Sequence, residues 1–158
     1  MNFRTAGITL IWLALAAGLF YFFNRQYHPN TVGKLGEAAE VVLARDLTGH
    51  YRADALINGV ETPVLVDTGA TDVAISQRLA DRLGIKSTRA IRTQTANGDA
   101  VAYMTRLSSV KLGGIVANDV AAIITPNLEG DVLLGMSFLN RMDVRLYKGT
   151  MTIKAVNE

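Results

Sequence analysis

One tetrapeptide, Asp67-Thr68-Gly69-Ala70, restricts what this chain can fold into more than any other feature. It follows the apolar run Pro63-Val64-Leu65-Val66 and precedes Val73-Ala74-Ile75. A carboxylate, a hydroxyl and a glycine therefore share a tight turn between two strands. Gly69 admits backbone angles closed to other residues and can bring its N–H close to the carboxylate. Thr68 offers a hydroxyl that can bond backbone across the turn. Ala70 keeps the floor of the site small, and the buried strand in front fixes the carboxylate. Taken alone, the tripeptide reads as a structural turn, because Asp and Gly are common turn residues. Its setting admits a chemical reading. Hydrolysis by carboxylates needs one group to take a proton from water and another to supply one. Two carboxyls about 3 Å apart cannot both ionise, so they share a proton that belongs to the pair. The motif occurs once. The second carboxylate must then come from another copy of the chain, and a two-fold axis places Asp67 opposite its own copy. No metal, cofactor or side-chain nucleophile is needed.

The chain around this turn reads as mainly β. Tyr51–Ile57 alternates apolar and polar positions, and Asn58-Gly59 is a strong hairpin signal before Val60–Val66. Ser76 can cap a short helix that runs to about Leu83 and stops at Gly84. Residues 88–103 are β-prone around a second hairpin signal, Asn97-Gly98. Residues 110–112 and 120–124 read as further strands, separated by Gly113-Gly114 and Asn118-Asp119. Val132-Leu133-Leu134-Gly135 is an apolar run that stops abruptly before a short helix over residues 137–141. Residues 144–147 and 151–153 make a last hairpin around Lys148-Gly149. Many short strands with regular turn signals predict a small closed β-barrel with one or two short helices.

The N-terminal part has a different character. Residues 6–23 carry no charge, and Trp12, Tyr21, Arg25 and Tyr27 suit interface anchors. The expected organisation is a transmembrane anchor over residues 1–24, a linker over 25–40 with Pro29, Gly33 and Gly36, and one folded domain over 41–158. A cleavable signal peptide is the competing reading, with Ala14-Leu15-Ala16 as a small-x-small site. The apolar run continues through Leu19-Phe20-Tyr21-Phe22-Phe23, where a cleavage region should turn polar. A buried core helix is disfavoured because no polar face interrupts the run. Lys/Arg counting leaves orientation open. There are no cysteines, which excludes disulfides, thiolate metal sites and Cys nucleophiles. The two histidines, His28 and His50, are too isolated for a metal site. The net charge of +2 comes from scattered Lys and Arg, which does not indicate a nucleic-acid surface. Asp72, Asp99, Asp119, Asp131 and Asp143 read as turn or solvated residues. Arg78 and Arg82 read as a solvated helix face, His50 as a strand-edge residue and Tyr103 as packing.

The Asp67-Thr68-Gly69-Ala70 turn after an apolar strand, the Asn97-Gly98 hairpin, and Leu133-Leu134-Gly135 before a short helix resemble the retropepsin-like aspartic proteases. The similarity is nearest to the bacterial membrane-anchored group with this motif and covers roughly residues 47–153. The resemblance implies a small β-barrel that dimerises, each subunit supplying one Asp-Thr-Gly loop, with a hairpin flap over a bound peptide. Asp67 then resembles the catalytic aspartate, Thr68 the hydroxyl that grips the partner's loop, and Gly69 and Ala70 the loop positions near substrate backbone. The hairpin from Thr93 to Tyr103 resembles the flap, with Thr95, Ala96, Asn97 and Gly98 as its flap residues. Leu133-Leu134-Gly135 resembles the segment beneath the active-site loop, with Leu133 lining a substrate pocket. Viral members usually place Asp directly after the Ala; here Thr71 intervenes and Asp72 follows.

These readings converge on an aspartic endopeptidase, homodimeric and free of cofactor and metal, that cleaves extended polypeptides. The resemblance implies a single-pass inner-membrane protein with the domain in the periplasm of a Gram-negative bacterium. Two alternatives stay open: a catalytically silent binding or assembly module of the same fold, and an anchored envelope scaffold.

Overall fold

The computed structural model describes residues 3–27, 30, 39–95 and 98–156. It opens with helix α1 (Phe3–Tyr27), of which Gly7–Tyr27 is long and apolar enough to cross a membrane. None of that segment is buried, which removes the core-helix alternative; length and composition suit a membrane anchor or a signal sequence.

Among the described residues, ten strands and two short helices follow: β1 (Glu40–Ala44), β2 (Tyr51–Ile57), β3 (Val60–Val66), β4 (Val73–Ser76), α2 (Gln77–Arg82), β5 (Ala90–Thr95), β6 (Gly98–Leu112), β7 (Ile115–Thr125), β8 (Val132–Leu134), α3 (Met136–Leu139), β9 (Met142–Tyr147) and β10 (Thr150–Ala155). Six strands close a barrel in the order β2-β3-β8-β4-β7-β6, and Leu56 and Ile57 pairing with Lys111 and Val110 shut the ring. β5 extends the sheet beyond β6, and β1-β10-β9 form a separate three-stranded sheet. The mainly β expectation is met. The period-2 pattern decides which faces turn inward: Ala53, Ala55 and Ile57 of β2 and Val64 and Val66 of β3 are buried, while their alternates are not. Asn58 and Gly59 both have positive φ, as the two-residue hairpin requires. Ser76 caps α2 by accepting the Leu79 N–H at 3.1 Å, and Gly84 ends it at φ 66°.

Two strand expectations need correction. Residues 98–112 form one 15-residue strand rather than a hairpin arm and a separate short strand. β6 pairs with β5 over Gly98 to Tyr103, with β2 at Val110 and Lys111, and with β7 from Tyr103 onward, so its polar middle, Thr105 to Ser109, is held as strand by β7. Asn118-Asp119 is also no loop; it lies inside β7. Asp119 takes φ 51° there, a conformation Asp tolerates, and pairs with the Arg106 guanidinium. The Arg78 and Arg82 side chains are exposed, as their spacing suggests, and both guanidinia also reach the Asp131 carboxylate, at 2.6 and 3.6 Å.

The β1–β2 connection is built on Asp46. Its side chain is 1% exposed and accepts from the Thr48 N–H and hydroxyl, the His50 N–H and Arg52 Nε, all within 3.0 Å. Burial opposes its charge, but the hydrogen bonds from Thr48 and His50 and the Arg52 charge outweigh it, so the carboxyl sits below its ordinary 3.8. The hydrogen bond and charge of Arg78 likewise lower Asp131. A depressed carboxyl contributes stability that is complete above the unfolded value and is lost as pH falls through the folded one. The melting temperature is therefore expected to hold down to about pH 5 and to fall below about pH 4, with a flatter acid limb in Asp46→Asn. A steep loss already above pH 5 would contradict this.

Candidate active site

β8 is inserted between β3 and β4, the two strands that flank the Asp67 turn. It runs parallel to β3 (Val64↔Val132, Leu65↔Leu133, Val66↔Leu134) and antiparallel to β4 (Ala74↔Leu133, Ile75↔Val132). The chain leaving β8 then passes directly under the turn. Asp67 N–H donates to Leu134 O at 3.0 Å, Met136 N–H to Ala70 O at 2.8 Å, and Ser137 N–H to Thr71 O at 2.9 Å. Loop positions normally left to solvent are thus tied to a buried segment on both sides of the carboxylate.

Gly135 makes this crossing possible. A Cβ there would lie 2.3 Å from Asp72 O and 2.7 Å from Ala70 O, inside backbone atoms that cannot step aside. Ser137 completes the fixation. Its hydroxyl accepts the Val73 N–H at 2.9 Å and donates to Ala121 O at 2.8 Å, joining β4, α3 and β7. Sequence reasoning placed Ser137 only as the start of a helix; the signal that could have found it is a hydroxyl two residues after the obligatory glycine. Ser137→Ala strands the Val73 N–H and the Ala121 carbonyl, so a loss of about 1–3 kcal/mol is expected in chemical denaturation. Unchanged stability would show that neither bond matters.

The Asp67 carboxylate is half-buried, and its Oδ1 accepts the Gly69 N–H at 2.8 Å. Gly69 is not among the positive-φ residues, so its role differs from the one expected of it. Close approach is the constraint, since a Cβ would stand 3.2 Å from Asp67 Oδ1. Thr68 is exposed on the loop, and its hydroxyl makes no hydrogen bond within the chain among the described residues. Ala70 is half-buried, with its carbonyl committed to Met136.

A cleft of about 250 Å³ opens beside the loop, lined by Asp72, Arg89, Ile91, Met104, Arg106 and Ile123 among others. It joins the end of the Asp67 loop to the base of the β5–β6 hairpin. In that hairpin Thr95 pairs with Gly98, whose φ is 102°. Ala96 and Asn97, expected in the flap, lie outside the described residues, as does the side chain of Thr95. Leu133 is half-buried opposite Leu65 and Ala74 and does not line this cleft. No group of His, Asp and Glu suited to a metal ion occurs among the described residues.

The family described as "gag-polyprotein putative aspartyl protease" matches residues 53–141, a span that contains the Asp67 turn, the hairpin and the β8–α3 crossing. The chain belongs to the retropepsin-like aspartic protease family. It is similar to a retropepsin-like aspartic protease from Rickettsia conorii, with 32% identity and a TM-score of 0.63 over 72% of this chain and 97% of that one. It is also 33% identical to an uncharacterized Sinorhizobium protein over 66% of this chain, and 31% identical to an uncharacterized Rickettsia prowazekii protein over 88%. The matched parts span 47% and 64% of those two curated relatives. Family and fold are those of peptidases, and retropepsin-like folds generally act as dimers on polypeptide substrates.

Proposed function

We propose that this protein is an aspartic endopeptidase whose active site forms when two copies bring their Asp67 loops together. The observation that carries the reading is the way the carboxylate is held. Asp67 is reachable from solvent, yet its loop is bonded to Leu134, Met136 and Ser137 of the segment beneath. A turn with only a structural role has no need of such fixation. A reacting carboxylate does, because a misplacement of about 1 Å can cost on the order of 100-fold in rate.

In the dimer one Asp67 accepts a proton from water while the other, protonated, donates to the carbonyl oxygen of the scissile peptide. Water adds to the carbonyl carbon, and collapse of the tetrahedral species expels the amine, which takes up a proton. The pair is left with one proton, as it began. Thr68 is exposed on the loop, and its hydroxyl, unbonded among the described residues, is suited to grip the partner's loop. Extended substrate lies in the cleft between the loop and the β5–β6 hairpin, and Ile91, Met104 and Ile123 favour apolar side chains. Residues 1–24 act as the anchor and 41–158 as the catalytic domain, with the domain in the periplasm.

The test is inhibition. A statine-type peptide carries its hydroxyl where the attacking water sits, so it should bind far more tightly than a substrate of the same sequence. Equal affinity of the hydroxyl and deoxy peptides would remove the catalytic reading and leave a peptide-binding module.

A further inference from the structure

Asn30 lies only three residues after the last residue of α1, yet it belongs to the folded domain. It is 8% exposed. Its side-chain amide donates to Ala44 O and to Arg52 O, and its side-chain oxygen accepts the Ala44 N–H, each at 2.9 Å. Ala44 ends β1 and Arg52 lies near the start of β2, strands of different sheets. One side chain thus replaces a ladder rung between the two sheets and fixes where the tether meets the domain.

Chain geometry then limits how far the domain can stand from the bilayer. Three peptide units span at most about 11 Å, so Asn30 lies within that distance of Tyr27. If the hydrocarbon boundary falls near Phe23, Tyr27 is about 6 Å further along the helix, at the outer edge of the headgroup layer. The surface around Asn30 suits that location. Ala44 pairs with Thr150, which pairs with Tyr147, so Tyr147 lies two strands, about 10 Å, from the clamp. The β1–β2 and β9–β10 turns touch, with Arg45 N–H donating to Gly149 O at 2.9 Å. Leu47 is 58% exposed on the first turn and Tyr147 is 70% exposed beside the second, with Lys148 Nζ 5.2 Å from its ring. Arg45 and Lys148 are exposed cations here, whereas the nearby Asp46 carboxylate is buried and paired with Arg52. An aliphatic tip, an aromatic ring and two cations match the apolar, aromatic and anionic elements of a bilayer interface.

We propose that Asn30 clamps the barrel against the membrane, so that Leu47, Tyr147, Arg45 and Lys148 form a foot seated among phospholipid headgroups. The proposal rests on α1 being a membrane anchor. It fixes the orientation of each protomer in the plane where the two Asp67 loops must meet, which a free tether would not do.

The chain contains no cysteine, so single spin labels can be introduced cleanly into the full-length protein. Leu47→Cys and Tyr147→Cys report the foot. Leu15→Cys reports α1. Val116→Cys, 53% exposed near the opposite end of β2, reports bulk water. In nanodiscs of phosphatidylethanolamine and phosphatidylglycerol, the oxygen-to-nickel-chelate accessibility ratio at 47 and 147 should fall between those at 15 and 116. Adding Asn30→Ala should move 47 and 147 toward the Val116 value while Leu15 stays in hydrocarbon. Labels at 47 and 147 as wet as Val116, with Leu15 in lipid, overturn the foot and leave the anchor standing. A water-exposed Leu15 removes the anchor and the foot with it. Labels shielded from both probes and broadened by a neighbouring spin identify a second copy as the occupant and also overturn the proposal.

Discussion

Asp67→Asn is expected to reduce kcat/KM for peptide cleavage on the order of 10⁴-fold while the barrel stays folded. Both subunits carry the change, so the site loses its general base and its general acid together. The structural cost is small because an asparagine oxygen can still accept the Gly69 N–H that Asp67 Oδ1 accepts at 2.8 Å. Thermal unfolding should therefore move by no more than about 1 kcal/mol equivalent. A second measurement addresses the shared site. If wild-type and Asp67→Asn chains are co-expressed equally and pair at random, about a quarter of dimers keep two aspartates, and activity per wild-type chain should fall by about half. Activity that simply tracks the wild-type content would mean that each chain works alone. Cleavage by the pure variant within about tenfold of wild type would exclude Asp67 from the chemistry.

Gly135→Ala should be as damaging by another route. The added methyl meets Asp72 O at 2.3 Å, Asp72 C at 2.8 Å and Ala70 O at 2.7 Å, all backbone. Relief requires the β8–α3 crossing and the active-site loop to separate. That puts at risk the Met136–Ala70 and Ser137–Thr71 hydrogen bonds and disturbs the packing of Leu134 and Phe138, both fully buried. A destabilisation of about 3 kcal/mol or more, with loss of activity, is expected from denaturant titration and peptide assays. Gly69→Ala gives the contrast. Its Cβ would stand 3.2 Å from Asp67 Oδ1, so the carboxylate must shift by a few tenths of an ångström. Activity should fall there with little change in stability. If Gly135→Ala melts like wild type, the close crossing is not what holds the loop.

Much of the barrel is legible in the sequence because its strands carry local signals. Alternating burial in β2 and β3, the Asn58-Gly59 turn, the Ser76 cap and the Gly84 stop each depend on a few adjacent residues and reappear in the structure. Where the signal is non-local, the reading fails. The middle of β6 is polar, and it is a strand because β7 pairs with it and Leu107 is buried between polar neighbours. Asn118-Asp119 has turn composition, but the Arg106 and Arg141 side chains bond Asp119 and hold it within β7.

The sequence by itself determined the strand faces, most turns, an apolar helix of membrane-spanning length and a lone Asp-Thr-Gly-Ala turn, since each is written in neighbouring residues. Only the tertiary structure decided how that turn is held. The Leu134, Met136 and Ser137 bonds join residues more than 60 positions apart from the loop they support, and Gly135 is required by backbone that lies remote in the chain. The same holds for Asn30: nothing beside it in the sequence distinguishes it from other polar tether residues, and its role follows from the two strand ends that meet around its amide. Backbone partners supplied by folding carry no local signature, so pattern reading reaches the carboxylate but not the structure that holds it in place.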